Sequence, residues 1–383
     1  MYLTMIIIMV IIMRINTVTL REPGYCNKSS LEVNLQTLYW WQYRKHSLRY
    51  AGSITMNNSA DIRKENKKTI YRLMLGGGTY TKQQVAIGTG LSVATCNTLL
   101  NDMQRQGIIL GGDKLPGEVG RSSILYRIRE DHESYLAVHF YMEQGRRFIE
   151  TLVFSAVGRI IFREKQMPEY VDYEEIEKVI AKSVGQIPNI TRIVVGTPSI
   201  AENGIIRHCD IPELENTPLK EKLEDRFHIN VLIENDMHHK AYGYYMKHDD
   251  QDAVITLAYF PEHILPGTVT IHKGTIIKGA NCFAGMTGFL PYNISRKELL
   301  TMLEPERCMP FIAQSLSAII VLLNPGLIVL TGSLISPGML ECIKKKCGES
   351  IPPEYMPKFK AVDSFDEFYV EGMYQLAVDR KEI

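Results

Sequence analysis

From Asp61 the apolar residues fall at helical spacing, with Ile62, Ile70, Leu73 and Met74 on one side and Lys64, Lys67, Lys68 and Arg72 on others. Gly76, Gly77 and Gly78 end that pattern, because three consecutive glycines leave the backbone too free to stay helical. Thr81 is placed to cap a second helix, Lys82 to Ile87, and Thr89-Gly90 to make a tight turn. Ser92 then caps a third helix in which Cys96, Leu99, Leu100 and Met103 share one face and must pack inward. Beyond it, Ile108 to Leu110 and Ile124 to Ile128 read as paired strands around a Gly-rich loop that carries Lys114 and Arg121.

After Asp131 the period changes from helix to strand. YLAVHFYM, RRFIETLVFS and GRIIFRE are three short strands joined by tight turns. A helix from Asp172 to Val184 leads to the buried strand RIVVG, and a helix from Leu219 to Phe227 leads to INVLIEND. A second round follows: strands DAVITLAYF and TVTIHKGTIIKGA, helices around Arg296–Leu303 and Phe311–Leu323, strand LIVLTG, and a helix from Ser336. Two halves that each open on strands and continue as α/β predict a two-lobed α/β domain with a cleft between the lobes.

Charge sharpens this division. Lys plus Arg equals Asp plus Glu, 43 against 43, yet residues 56–130 hold 11 basic and 6 acidic side chains while residues 131–383 hold 26 and 35. A basic front and an acidic back suit a nucleic-acid module carried by a domain that must not itself bind polyanions. The seven cysteines form no CxxC or CxC pair, which argues against a metal cluster or a disulfide framework and for reduced thiols in a cytoplasmic protein. The apolar run near the start, YLTMIIIMVIIMR, is shorter than the roughly 20 residues a spanning helix needs. Residues 1–55 are therefore expected to be an extension ahead of a working protein that begins near Met56; the rival expectation is a membrane-associating tail. The domain expectation is 1–55 extension, 56–130 DNA-binding unit and 131–383 sensor and oligomerisation domain.

Two short helices meeting at a glycine turn, the second amphipathic, are a helix-turn-helix arrangement, and the following strand pair makes it winged. The alternative is a small helical module for protein contacts. The third helix has no Lys or Arg between Ser92 and Gln104, so it lacks bidentate guanine contacts. Base contacts are expected from Thr95, Asn97 and Thr98, with Val93 available to a thymine methyl. Ser92 and Gln83 are expected beside the duplex, and Lys82, Arg105, Lys114 and Arg121, together with Lys64, Lys67 and Lys68, on phosphate.

Several back-half segments resemble the ROK family of repressors and sugar kinases. GTPSIAENGII is similar to the family's GxPG…G segment, VLIENDMHHKAYGYY to its ENDAN…A…GE segment, and KGTIIKGANCFAGMTGFL to its G…L…GANGxAGExGH segment. The helix-turn-helix with GRSSILYRI resembles the repressor branch of the family. The resemblance implies an actin/hexokinase-like pair of lobes, a sugar pocket at Gly196, Glu234, Asn235, Asp236 and His238, and dimers or tetramers on a palindromic operator. In the family's kinases the residue matching Asp236 is the general base.

The catalytic parts depart from the family's pattern. The glycine-rich phosphate turn DxGGT reads FYMEQGRR here, and the second loop GTGIG reads AYFPEHILPG. The family's Glu and His in AGExGH fall at Met286 and Phe289, and its zinc cysteines are reduced to Cys308 alone. The sequence thus predicts a transcriptional regulator of double-stranded DNA, modulated by a sugar or sugar phosphate, with no metal, no cofactor and no kinase activity. Its alternatives are a DNA-binding regulator controlled by a protein partner and, last, a sugar kinase with altered chemistry. At Asp236 the competing expectation is a plain helix cap.

Overall fold

The computed structural model describes residues 59–115, 123–143, 145–209, 211–248 and 252–379. The expected extension 1–55 and Arg121 lie outside the described residues, and so does the side chain of Lys114. Helix α1 (Ser59–Met74) precedes the short strand β1 (Tyr80–Thr81), α2 (Lys82–Thr89) and α3 (Val93–Arg105). Strands β2 (Ile109–Leu115) and β3 (Ser123–Ile128) close this unit as an antiparallel hairpin, with β1 on its other edge. Local chemistry explains the helix ends. Thr81 and Gln84 form a reciprocal capping box at the start of α2. Gly90, at φ 73°, takes the left-handed conformation that ends α2 and turns the chain into α3.

The remaining chain forms two sheets of the same topology. The first lobe contains β4 (Ser134–Glu143), β5 (Arg146–Ser155), β6 (Ile160–Gln166), α4 (Tyr173–Gln186), β7 (Ile190–Thr197), the hairpin β8 (Ile200–Glu202) and β9 (Ile205–Arg207), α5 (Leu219–Phe227) and β10 (Asn230–Asn235). Its sheet order is β10-β7-β4-β5-β6. Helix α6 (Asp236–Met246) crosses to the second lobe, which contains β11 (Val254–Tyr259), β12 (Gly267–His272), β13 (Thr275–Ile276), α7 (Arg296–Met302), α8 (Met309–Leu323), β14 (Leu327–Thr331), α9 (Leu340–Gly348) and β15 (Lys358–Ala361). There the order is β13-β12-β11-β14-β15, again a three-strand antiparallel meander with two parallel strands added beside its first member. The chain ends its described course in α10 (Asp366–Asp379), a helix the sequence pattern does not predict.

Helix α10 keeps only a narrow polar stripe, Glu367, Glu371 and Gln375, because it is packed on two sides. Phe365, just before the helix, joins its Phe368 and Leu376 in a cluster with Tyr242, Tyr245 and Leu257 of α6 and the second lobe. Tyr369, Met373, Tyr374, Ala377 and Val378 join a cluster that runs through Tyr135, Leu152 and Phe154 to Ile70, Tyr71, Met74, Leu100 and Met103 of the front unit. The front unit and the first lobe therefore share one apolar core. A polar knot reinforces the joint: Glu133, 3% exposed, accepts from the hydroxyls of Tyr71 at 2.6 Å and Tyr135 at 2.7 Å, and from Thr191 at 3.2 Å. A buried carboxylate is tolerable only with such a set of donors.

The helices α6 and α10 cross with their backbones in contact. A Cβ on Gly243 would overlap the carbonyl oxygen of Phe368, and one on Gly372 would overlap the carbonyl oxygen of His239. Both positions require glycine for close approach alone.

Candidate functional site

Strands β7 and β10 run parallel, with Glu234 beside Gly196 in register, so their ends deliver the predicted pocket residues to one place between the lobes. Glu234 is buried at the end of β10. Its Oε2 accepts from His238 Nδ1 at 3.0 Å and its Oε1 pairs with Lys278 Nζ. Lys278 follows β13 in the second lobe, so this ion pair ties the two lobes together. Burial opposes the charge on Glu234, but His238 and Lys278 outweigh it and hold the carboxyl at about 2.

The neighbouring residues are also engaged. Asn235 caps α6: its Oδ1 accepts from the Met237 amide at 2.9 Å and its Nδ2 donates to the Ser199 carbonyl at 2.9 Å. Asp236 accepts from the same amide at 2.7 Å through Oδ1 and pairs with Lys240 Nζ at 2.9 Å through Oδ2. Lys240 lies one turn on, and although burial opposes its charge, Asp236 holds its ammonium above the usual lysine value. Both carboxylate oxygens of Asp236 are thus engaged within α6 itself. The room above Gly196 is filled by the Tyr369 hydroxyl, since a Cβ on that glycine would collide with it. His238 is buried against Glu234, and its neighbour His239 is fully buried, edge-on to Tyr369 at 5.6 Å.

Where the family has its Glu and His, Met286 is half-buried and Phe289 is 43% exposed; Phe283, 44% exposed, meets the Phe289 ring edge to face at 5.0 Å. The Arg296 guanidinium lies 3.9 Å from the Phe289 centroid, and His208 of the first lobe faces it at 6.5 Å. This patch offers stacking and apolar contact, not carboxylate acceptance of hydroxyls. Cys308 is buried in the core of the second lobe.

A second buried set lies along the first sheet. His139 Nε2 bonds Glu150 Oε2 at 2.7 Å, and Arg163 Nε bonds Glu150 Oε1 at 2.6 Å. The His139 hydrogen bond, aided by Arg163 against the cost of burial, holds the Glu150 carboxyl at about 2. Burial pushes His239 the other way from an ordinary histidine, from 6.5 down to about 4. These shifts fix the sign of the acid response. His239 stays neutral when folded, so its contribution is whole above pH 6.5 and is lost as pH falls from 6.5 to 4. Glu234 and Glu150 contribute above 4.5 and lose that contribution as pH falls toward 2. Thermal melts from pH 7 to pH 3 are expected to show stability falling throughout. The His239→Phe variant is expected to flatten the curve between pH 6.5 and 4; an unchanged slope there would remove His239 from the account.

On the front unit, α3 buries Cys96, Leu99, Leu100 and Met103 and leaves Ser92, Val93, Ala94 and Thr98 exposed. Lys82 Nζ donates to Asn97 Oδ1, Ser92 Oγ accepts from the Thr95 amide at 3.1 Å, and Gln83 is exposed. Arg105 pairs with Asp102 at 3.3 Å, and Asp102 also receives Lys67 at 2.6 Å and Arg63 at 2.9 Å. Part of the basic charge expected for phosphate is thus bound within the unit. Lys240 stood legible four residues after Asp236. Lys278 and Tyr369 carried no such signal, because they arrive from distant segments.

A sequence model described as ROK family matches residues 140–308. This central part of the chain is similar to the ROK family. Similar proteins include the xylose repressor of Caldicellulosiruptor bescii (strain ATCC BAA-1888 / DSM 6725 / KCTC 15123 / Z-1320), 22% identical over 249 residues that make up 62% of this chain and 61% of the relative. A putative xylose repressor of Caldicellulosiruptor sp. (strain Rt8B.4) is also 22% identical, over 61% of this chain and 60% of the relative. The match thus spans about three fifths of the length of these curated relatives. Among solved structures, a ROK family transcriptional regulator, a homologue of the E. coli MLC protein, superposes with a TM-score of 0.60 at 15% identity, covering 83% of this chain and 99% of that one. A putative N-acetylmannosamine kinase from Listeria monocytogenes gives 0.51 at 16% identity, over 65% of this chain and all of that one. At such identities the structures establish the fold, a two-sheet α/β pair of lobes of the ROK, actin-like kinase kind. Among the described residues no helix is long and apolar enough to cross a membrane.

Proposed function

We propose that this chain is a transcriptional regulator of the ROK family that grips operator DNA through a winged helix-turn-helix, residues 56–130, and senses through the lobes of residues 131–383. The observation that carries the reading is the front unit itself: α2 and α3 meet at the left-handed Gly90, α3 buries one face only, and β2 and β3 form the wing beside it. The two xylose repressors support the same reading.

The sensing lobes reach the front unit through α10. That helix crosses α6, which begins at the pocket, and its other side lies in the core shared with α1 and α3. A ligand preferring one lobe closure shifts the crossing and with it the seat of the DNA-binding unit. Phosphoryl transfer is disfavoured by the Lys240 pairing of Asp236 and by a first hairpin turn with Gly145 as its only glycine. A homodimer or tetramer is favoured by α8, which carries no charged residue and leaves Val321 and Leu322 72% and 77% exposed.

The working test is anisotropy binding of the protein to duplex from its own upstream region against an unrelated duplex, at low and physiological salt. Binding that prefers the first duplex and persists in salt supports the reading; equal binding that collapses with salt overturns it. A second reading, control by a protein partner with no small molecule, is favoured by one observation: Asn235, Asp236 and Glu234 are all satisfied internally. A thermal-shift screen with sugars and sugar phosphates separates the two, since a ligand of the folded state raises stability.

A further inference from the structure

We infer that α3 reads A·T base pairs, by methyl contacts to thymine and an amide contact to adenine; the inference rests on the DNA-binding reading above and deepens it. The outward stripe of α3 is Ala94, Thr98, Asn101 and Arg105, at steps of four, three and four residues, with Val93 beside its start. Val93 is 54% exposed, although an unpartnered valine on a one-sided helix gains nothing from water.

The hydroxyls near it are already committed. Thr98 Oγ1 donates to the Ala94 carbonyl at 3.1 Å, and the Thr95 and Ser92 hydroxyls bond each other at 2.8 Å. A threonine whose hydroxyl turns back to its own helix presents its methyl outward. The face toward a major groove therefore offers methyl groups from Val93, Ala94 and Thr98, where the sequence alone suggested base contacts from Thr95, Asn97 and Thr98 and an apolar touch from Val93. The thymine C5-methyl is the one major-groove group that such a surface recognises.

Asn97 is held by Lys82, so its carbonyl oxygen is occupied. Asn101, one turn further along the stripe, is exposed and makes no side-chain hydrogen bond among those found for the described residues. A free carboxamide matches the N6 and N7 pair of adenine in a bidentate contact. Arg105 shares the stripe but is drawn to Asp102 at 3.3 Å, which weakens its claim on guanine.

The experiment selects binding sites for the full chain from a duplex library with a random core. The selected site is then resynthesised with uracil replacing thymine at each position of the half-site. Uracil lacks the C5-methyl but keeps the pairing edge and the minor-groove edge, so a loss on substitution reports methyl contact and not groove shape. The expected result is a half-site with an A·T core and about a fourfold loss per contacted methyl, about fifteenfold for two. Val93→Ala is expected to shrink the thymine-to-uracil ratio at one position of the half-site and to leave that ratio in place at the others. Asn101→Ala is expected to relax the preference at one adenine. Selection of a G·C core, or an A·T core indifferent to uracil, overturns the inference while the DNA-binding reading stands. No enrichment at all overturns both.

Discussion

Gly372→Val is expected to leave no cooperatively folded protein. The added side chain has to enter the space of the His239 carbonyl on α6, and backbone on both sides of the contact gives it nowhere to go. Overlap of this kind costs about 4 kcal/mol or more, a large share of the 5–15 kcal/mol that holds a typical domain. Gly243→Val meets the Phe368 carbonyl from the opposite helix and is expected to do the same. Gly185, on the exposed side of α4, has open space where its Cβ would be, and Gly185→Ala is expected to be neutral or mildly stabilising. Circular dichroism and denaturant melts of the three variants check this. A folded Gly372→Val protein with near-normal stability would show that the helices can part at their crossing, and the proposed route from pocket to DNA-binding unit would go with it.

Lys278→Ala is expected to lower stability by roughly 2–3 kcal/mol at neutral pH. It leaves Glu234, a buried carboxylate, with His238 as its remaining partner of the two. The lysine is itself 24% exposed, so water screens part of the pair and the loss falls below the usual figure for a fully buried one. The sign with pH follows from the carboxyl held at about 2 in the folded protein against an ordinary 4.5. The deficit of the variant is full above pH 4.5 and shrinks as pH falls toward 2, because the glutamate then takes up a proton in both proteins. Denaturant melts at pH 7 and pH 4 test it. A deficit that does not change with pH would assign the loss to packing of the lysine stem. The pair Lys278→Met with Glu234→Gln is expected to recover most of the stability, since removing both charges leaves neither unpaired.

The front unit was largely legible because its signals are local. The Thr81 and Ser92 caps, the turn at Gly90 and the inward face Cys96, Leu99, Leu100 and Met103 all depend on residues within a turn or two of one another. The strand-first halves were legible for the same reason, and the helix expected over Asp172 to Val184 runs from Tyr173 to Gln186. The gathering of the expected site residues was legible; their contacts were not. Gly196, Glu234, Asn235, Asp236 and His238 do come together, because β7 and β10 end side by side. What each side chain does there was decided elsewhere, by Lys278 from the second lobe and Tyr369 from the last helix. The committed hydroxyls of Thr95 and Thr98 likewise became visible only with the helix built.

By itself the sequence determined the order and kind of elements, the capped and amphipathic helices of the front unit, the doubled α/β halves and the ROK resemblance, all written in short-range patterns of polarity. Tertiary structure alone decided the course of α10, the glycine crossing with α6, the core shared by the front unit and the first lobe, and the ion pair between the lobes. These depend on contacts between segments far apart in the chain. No local period records such contacts, and a helix buried on two sides keeps too narrow a polar stripe to be recognised by it.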